Sequence, residues 1–331
     1  MHVYQASEAR YENMLYRKCG WSGLKLSAVG LGLWHGFGAE ESHDDCFTRV
    51  ATAFDLGITH FDLADNYGPP PGAAETVFGT VLGREFKAHR DELVVATKAG
   101  HAMWRGPYGD WGSRKHLRAG LDQSLQRLRL DYVDIFYHHR PDLETPLEET
   151  LCTLADMVDQ GKALYIGLSK YPAKLLRHAV SLLTEMRVPC VVHQVRYNLL
   201  ERGEVEQEQI PAAAEAGLGT VVFSPLAQGV LTNKYADGVP EGSRAAKGSP
   251  FIERYLHDEA VAYARRLQVL SKARGQTPAQ TALAWVLRDP RITSAVIGAS
   301  RPEQICENVE ALKNLSFDVS ELKALGGAST Q

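Results

Sequence analysis

The sequence predicts an α/β protein: a closed (β/α)8, or TIM, barrel with an N-terminal hairpin and long loops after the third and seventh barrel strands. Three observations lead there. Short apolar runs of β type recur about every 30 residues, a natural length for a strand–helix unit. There are eight of them, nearly continuous in apolar residues, as strands covered on both faces should be. Helical patterns with start signals lie between the runs. Eight alternations with short links favour a closed parallel ring over a doubly wound sheet.

Residues 14–27 hold two short runs around Gly20 and Gly23, a hairpin placed to plug the barrel floor. The eight barrel runs are AVGLGLW (28–34), THFDLA (59–64), LVVATKA (93–99), VDIFYHH (133–139), ALYIGLS (163–169), VVHQVRY (191–197), TVVFSP (220–225) and SAVIGA (294–299). Between them, Ser113 to Arg129 places Leu117, Leu121, Leu125 and Leu128 on one helical face. Thr145-Pro146-Leu147-Glu148 reads as a cap, a first-turn Pro and a third-position Glu, and Thr277-Pro278-Ala279-Gln280 repeats that logic. Two connections are long, 99–113 (AGHAMWRGPYGDWGS) and 226–257. Both follow strands, so both belong to the face where strands end, and long loops there serve as lids or clasps. The expected organisation is an arm over 1–13, one barrel domain over 14–316 and a C-terminal tail over 317–331. No composition break marks a second domain.

A chain of 331 residues suits one barrel with insertions. Its formal net charge of −4 gives no basic field for nucleic acid. No run approaches the roughly 18 apolar residues of a membrane span. The first residues lack an apolar signal core, so no secretion is expected. Five scattered cysteines without a CxxC spacing argue against a zinc ribbon or redox pair and predict a reducing compartment, the cytosol.

Four residues at or just past strand ends carry the chemical reading: Asp62, Tyr67, Lys98 and His139. Strand ends converge on one face of such a barrel. A phenol there can give a proton to the oxygen of a carbonyl that receives hydride. A neighbouring ammonium is expected to lower its pKa from near 10. Asp62 would orient that ammonium, and an imidazole would position the substrate oxygen. Each residue also has a plain structural reading: a cap or ion-pair partner for Asp62, a turn aromatic for Tyr67, a solvated terminus for Lys98, a core histidine for His139. His138 is an equal candidate by spacing. The placement of all four at successive strand ends favours chemistry.

Phosphate-binding signals are sparse. Gly30 and Gly32 are followed by His35 where a dinucleotide fingerprint needs its third Gly, and there is no P-loop. The eighth strand, however, ends in Gly298-Ala299-Ser300-Arg301-Pro302 and runs into a helix, whose start beside an Arg suits an anion. Gln304, Glu307 and Asn308 recur on that helix at spacings of three and four, either a binding face or a solvated one.

The stretches FDLADNYGPPPGAAE, TKAG, YVDIFYHHRPD, TPLEET, GKALYIGLS and SPLAQGVLTNKY resemble the aldo-keto reductases, on the branch of bacterial L-glyceraldehyde 3-phosphate reductases and potassium-channel β subunits. The resemblance runs from about residue 14 to about 316. It implies NADPH-dependent carbonyl reduction, with Asp62, Tyr67, Lys98 and His139 as the tetrad and Tyr67 as proton donor. It selects His139 over His138, as the residue before Arg140. The channel subunits place Asn there, so His favours an enzyme. It implies that Ser300, Arg301 and Gln304 meet the adenosine 2′-phosphate region, that Glu307 and Asn308 meet the adenine, and that Gly298 also binds the cofactor. An Arg on that phosphate would prefer NADP to NAD. Lys234 and Arg244 would make further phosphate contacts, so that their loop is a clasp over the pyrophosphate, and Ser224, Leu226, Gln228 and Gly229 would also bind the cofactor. Ser169 and Gln194 would fix the nicotinamide carboxamide, and Phe223 would stack on the ring where the channel subunits carry Trp. The family often has Asn after the serine; here it is Lys170, and that contact is dropped.

Trp34, Trp104 and Tyr108, with Trp111, sit in or near loops of the same face and suit a substrate wall. Arg105, Arg114 and Lys115 read as solvated loop charges in preference to a phosphate or carboxylate site. The resemblance implies small aldehydes such as glyceraldehyde 3-phosphate or methylglyoxal, and homo-oligomers are common among such relatives. The alternative reading is a cofactor-sensing, channel-associated or regulatory subunit with little turnover. A metal hydrolase using His138, His139 and Asp62 lacks any supporting ligand spacing, and no metal is expected.

Overall fold

Strands form here where the chain is apolar on both sides of the pleat, because both faces of the sheet are covered. The computed structural model describes residues 4–235, 239–241, 245–246 and 248–326. Strands β1 (Tyr16–Lys18) and β2 (Lys25–Ser27) pair antiparallel, forming the hairpin around Gly20 and Gly23. Eight parallel strands follow: β3 (Val29–Gly32), β4 (His60–Asp62), β5 (Val94–Ala99), β6 (Val133–His138), β7 (Ala163–Ser169), β8 (Cys190–Arg196), β9 (Gly219–Phe223) and β10 (Ile292–Ile297). They close in the order β10-β3-β4-β5-β6-β7-β8-β9. The ring is sealed where Ala295 lies opposite Val29 and Ile297 opposite Leu31.

Helices α1 (His43–Asp55), α2 (Ala73–Glu85), α3 (Arg114–Leu128), α4 (Leu147–Asp159), α5 (Ala173–Glu185) and α6 (Ile210–Glu215) each follow a barrel strand. The connection from β9 to β10 carries α7 (Pro250–Glu253), α8 (Asp258–Ala273) and α9 (Pro278–Leu287). After β10 come α10 (Pro302–Val309) and α11 (Val319–Leu325), the latter within the stretch expected as a tail. The Ser113 side chain caps α3 by accepting the His116 N–H, and Leu117, Leu121, Leu125 and Leu128 are all buried. Thr277 and Gln280 form a reciprocal capping box at α9. The expected Thr145 cap is not formed. Pro146 occupies the cap position of α4, and the Thr145 hydroxyl donates instead to Asp142 Oδ2 at 2.6 Å. A nearby carboxylate outcompetes the helix end for that hydroxyl.

The hairpin sits against the barrel's interior. Cys19 and Leu26 are fully buried and cluster with Ala96, Ile135, Tyr137, Val192, Val221 and Val296. Burying Leu26 there contributes about 1.5–3 kcal/mol. Arg17 donates to the carbonyls of Leu287 (2.8 Å), Asp289 (3.2 Å) and Ile292 (2.7 Å), which ties the hairpin to the start of β10. Gly20 has φ +52°, and a Cβ there would stand 1.9 Å from the Gly217 carbonyl oxygen, so the hairpin tip can approach the chain before β9 only with glycine. Higher in the interior, Gly167 leaves room for Tyr137, whose ring a Cβ would meet at 2.3 Å. With the other end filled, the strands' C-terminal ends are left to position side chains. The register levels them: Lys98 opposite Tyr137, His138 opposite Leu168, Ser169 opposite Gln194, Arg196 opposite Phe223.

Candidate active site

Asp62 ends β4, and Lys98 is the penultimate residue of β5. Lys98 Nζ donates to Asp62 Oδ2 and to the Leu63 carbonyl, each at 2.6 Å. Both side chains are shut off from solvent. Gln194 Nε2, from the far side of the ring, donates to Asp62 Oδ1 at 2.8 Å. The same ammonium lies 5.1 Å from the centroid of the Tyr67 ring. Tyr67 stands in the loop after β4 and is half-buried. Its ring centroid is 6.0 Å from that of His139 and 6.2 Å from that of Trp34. Of the two adjacent histidines, His139 therefore faces Tyr67. The His138 ring pairs through Nδ1 with the Tyr171 hydroxyl at 2.6 Å.

Burial sets the charge states. It pushes the Tyr67 phenol well above its usual value near 10, and the carboxylates of Asp62 and Asp65 push the same way. The expected acidification by Lys98 is therefore overturned. The ammonium is matched by Asp62 at salt-bridge distance, and the loss of solvent around the phenol outweighs it. Burial also draws Lys98 down, opposed by Asp62. His139 is held well below the usual imidazole range by burial first, then by Lys170 and Lys98. Its Nδ1 is buried without a hydrogen-bond partner among the described residues. A protonated phenol and a neutral imidazole thus face each other over a buried ammonium.

Sequence reasoning passed over Asp65 and His101 and set Lys170 aside. Asp65 is fully buried, neither carboxyl oxygen has a hydrogen bond among the described residues, and burial, then Glu75, pushes it well above the carboxylate range. His101, three residues past Lys98, meets His139 edge-on with ring centroids 4.4 Å apart. Lys170 Nζ lies 3.4 Å from His101 Nε2. The one available signal was position: His101 and Lys170 both follow strand ends.

The residues expected to hold a cofactor form an arc around the other half of the ring. Ser169 ends β7, and its hydroxyl is buried with no partner among the described residues. Phe223 ends β9 half-exposed, with Lys170 Nζ 5.7 Å and Arg196 Cζ 5.5 Å from its ring centroid. In the turn after β9, Ser224 (φ +53°), Ala227 (φ +46°) and Gln228 (φ +58°) occupy the left-handed region that L residues avoid. Each such residue costs of order 1–3 kcal/mol. Asn198 Nδ2 holds the Ser224 carbonyl at 3.1 Å, and Gln228 Nε2 donates to Ser224 Oγ at 3.0 Å. Leu226 packs on the core beside them, Gly229 takes φ +97°, and Lys234 is exposed. Arg244 lies outside the described residues. Past β10, a Cβ on Gly298 would meet nothing within 4 Å. The Ser300 N–H and hydroxyl both donate to Gln304 Oε1, at 2.8 and 3.1 Å. Arg301 is exposed at the cap of α10, Glu307 is half-buried and Asn308 is buried.

Trp34 reaches the tetrad and also meets Phe251 edge-on at 4.6 Å, which joins the loop after β3 to α7. Trp104 and Tyr108 make no ring contact with the tetrad: Trp104 packs on His116 at 5.1 Å, and Tyr108 is exposed beneath the Lys115 ammonium at 5.2 Å. Among the described residues, no three His, Cys, Asp or Glu side chains are placed to hold a metal ion, and no helix is long and apolar enough to cross a membrane.

A closed parallel barrel with a Lys–Asp pair, a Tyr and a His at its strand ends defines a class, and the comparisons agree. The model of the aldo/keto reductase family matches residues 28–329. The chain belongs to that family and is an oxidoreductase of the carbonyl-reducing kind. It is similar to the L-glyceraldehyde 3-phosphate reductase of Escherichia coli strain K12, 49% identical over 324 residues that cover 97% of this chain and 94% of that one. A putative voltage-gated potassium channel subunit beta of Schizosaccharomyces pombe is 38% identical over 310 residues, covering 91% of this chain and 89% of that one.

Proposed function

We propose that this chain is an NADPH-dependent reductase of small aldehydes or ketones, glyceraldehyde 3-phosphate and methylglyoxal among them. The observation that carries the reading is the buried Lys98–Asp62 pair set against the Tyr67 ring, with a neutral His139 opposite.

The residues present fit the cofactor. The orphaned Ser169 hydroxyl suits a carboxamide, the half-exposed Phe223 ring suits stacking, and the open space over Gly298 leads to Ser300, Arg301 and Gln304 at a helix start suited to a phosphate. Gln194 departs from its expected task in part, since its amide N–H is engaged by Asp62. Strained backbone at Ser224, Ala227 and Gln228 is the kind of distortion that persists where a ligand is held. NADPH, when bound, supplies hydride from the nicotinamide C4.

Tyr67 gives its proton to the carbonyl oxygen as negative charge develops there. Lys98 then lies beside the resulting phenolate, and Asp62 keeps Lys98 in place. His139, neutral, donates one N–H to the same oxygen and orients it.

A panel of small aldehydes and ketones, followed by loss of NADPH absorbance, tests the reading. Turnover with short aldehydes is expected, faster with NADPH than with NADH. NADPH binding without reduction of any carbonyl would favour a cofactor-sensing subunit instead.

A further inference from the structure

Lys98, Arg140, Arg196 and Arg254 each have a carboxylate partner, and Lys170 has none among the described residues. Lys98 has Asp62 at 2.6 Å, and Arg140 has Asp110 at 2.6 Å. Arg196 and Arg254 share Glu201, at 3.5 and 3.1 Å. Lys170 has no carboxylate at salt-bridge distance among the described residues; its one polar neighbour is His101 Nε2.

The location makes this exception informative. Lys170 follows Ser169 at the end of β7 and is half-buried, in a left-handed conformation at φ +62°. Its ammonium faces Phe223 on one side and His101 on the other, and His101 in turn packs on His139. The charged groups that act on it are Lys98 from β5, Arg196 from β8 and Arg140 after β6, every one a cation. Burial first, and then those cations, draw it down to about 8. A half-buried ammonium among like charges is an unfavourable arrangement that an arriving anion relieves. One imidazole separates it from His139, so an anion held by Lys170 is within reach of a short molecule whose carbonyl lies at His139 and Tyr67.

We propose that Lys170, assisted by His101, is the subsite for the anionic group of the substrate, and that the preferred substrates are short aldehydes bearing a phosphate. This rests on the reductase reading above. Arg114, a candidate from sequence for the same task, is occupied by Asp156.

The test compares wild type, Lys170→Met and Lys170→Arg on glyceraldehyde 3-phosphate, on neutral glyceraldehyde and on a carboxylate-bearing aldehyde. Lys170→Met should lower the preference for the phosphorylated over the neutral aldehyde roughly 10- to 100-fold, mainly through KM, and Lys170→Arg should keep most of it. In wild type the preference should fall as pH rises through about 8, where the ammonium loses its proton, and the Lys170→Met preference should not follow that fall. A larger effect on the carboxylate-bearing aldehyde than on the phosphate would overturn the assignment to phosphate. Calorimetric titration of the NADP+-loaded protein with glycerol 3-phosphate gives a readout without turnover: affinity should drop in Lys170→Met by a similar factor. Equal loss on charged and neutral aldehydes, or lost NADPH affinity with an unchanged preference, would overturn the proposal. Should no carbonyl be reduced by wild type, the reductase reading falls, and the glycerol 3-phosphate titration still decides Lys170.

Discussion

Lys98 Nζ and Asp62 Oδ2 lie 2.6 Å apart in a place that solvent does not reach. Breaking such a pair from one side leaves a naked charge, at a cost of about 3–5 kcal/mol. Lys98→Met should therefore unfold at markedly lower denaturant concentration and lose turnover. The double variant Asp62→Asn/Lys98→Met should regain most of the stability and none of the activity. Recovery of both together would mean that the pair is structural only.

Tyr67 tests the proton donor. Tyr67→Phe keeps the ring that packs near Trp34 and His139 but removes the hydroxyl. Turnover should fall by about 10²–10⁴-fold, while NADPH still binds, as read by quenching of protein fluorescence. Residual turnover with lost cofactor binding would contradict the assignment.

The pH profile follows from two opposed shifts. His139 has its pKa well below 6.5, so it is already neutral at about pH 6 and stays so above. Tyr67 has its pKa well above 10, so it stays protonated to at least about pH 9. With a neutral aldehyde, kcat/KM should be level between those limits. A bell with one limb near an ordinary imidazole value would show that His139 is not buried as described.

Arg301 is exposed at the start of α10, beside Ser300 and Gln304. Arg301→Ala should weaken NADPH roughly tenfold or more and NADH far less, since only the former carries the 2′-phosphate. Equal weakening, measured by direct titration of both nucleotides, would remove that role.

Much of this architecture was readable in the chain. The eight apolar runs became β3 to β10 because a strand buried on two faces must be apolar throughout. Helix starts were legible where the cap acts locally, as at Ser113 and Thr277, and not at Thr145, where Asp142 competes. Strand-end position was enough to pick out Asp62, Lys98 and His139, but not their charge states. Those depend on burial, and for His139 also on Lys170 and Lys98, which the closed ring brings near. Gln194 touches Asp62 across 132 positions of chain, and no linear spacing encodes that.

The seam between Val29 and Ala295 has a consequence for biosynthesis. The first partner leaves the ribosome 266 residues ahead of the second. Until then the nascent half that carries Asp62, Tyr67, Lys98 and His139 has a raw sheet edge on β3, a template for pairing with other chains. That edge stays open until the last strand arrives to cover it.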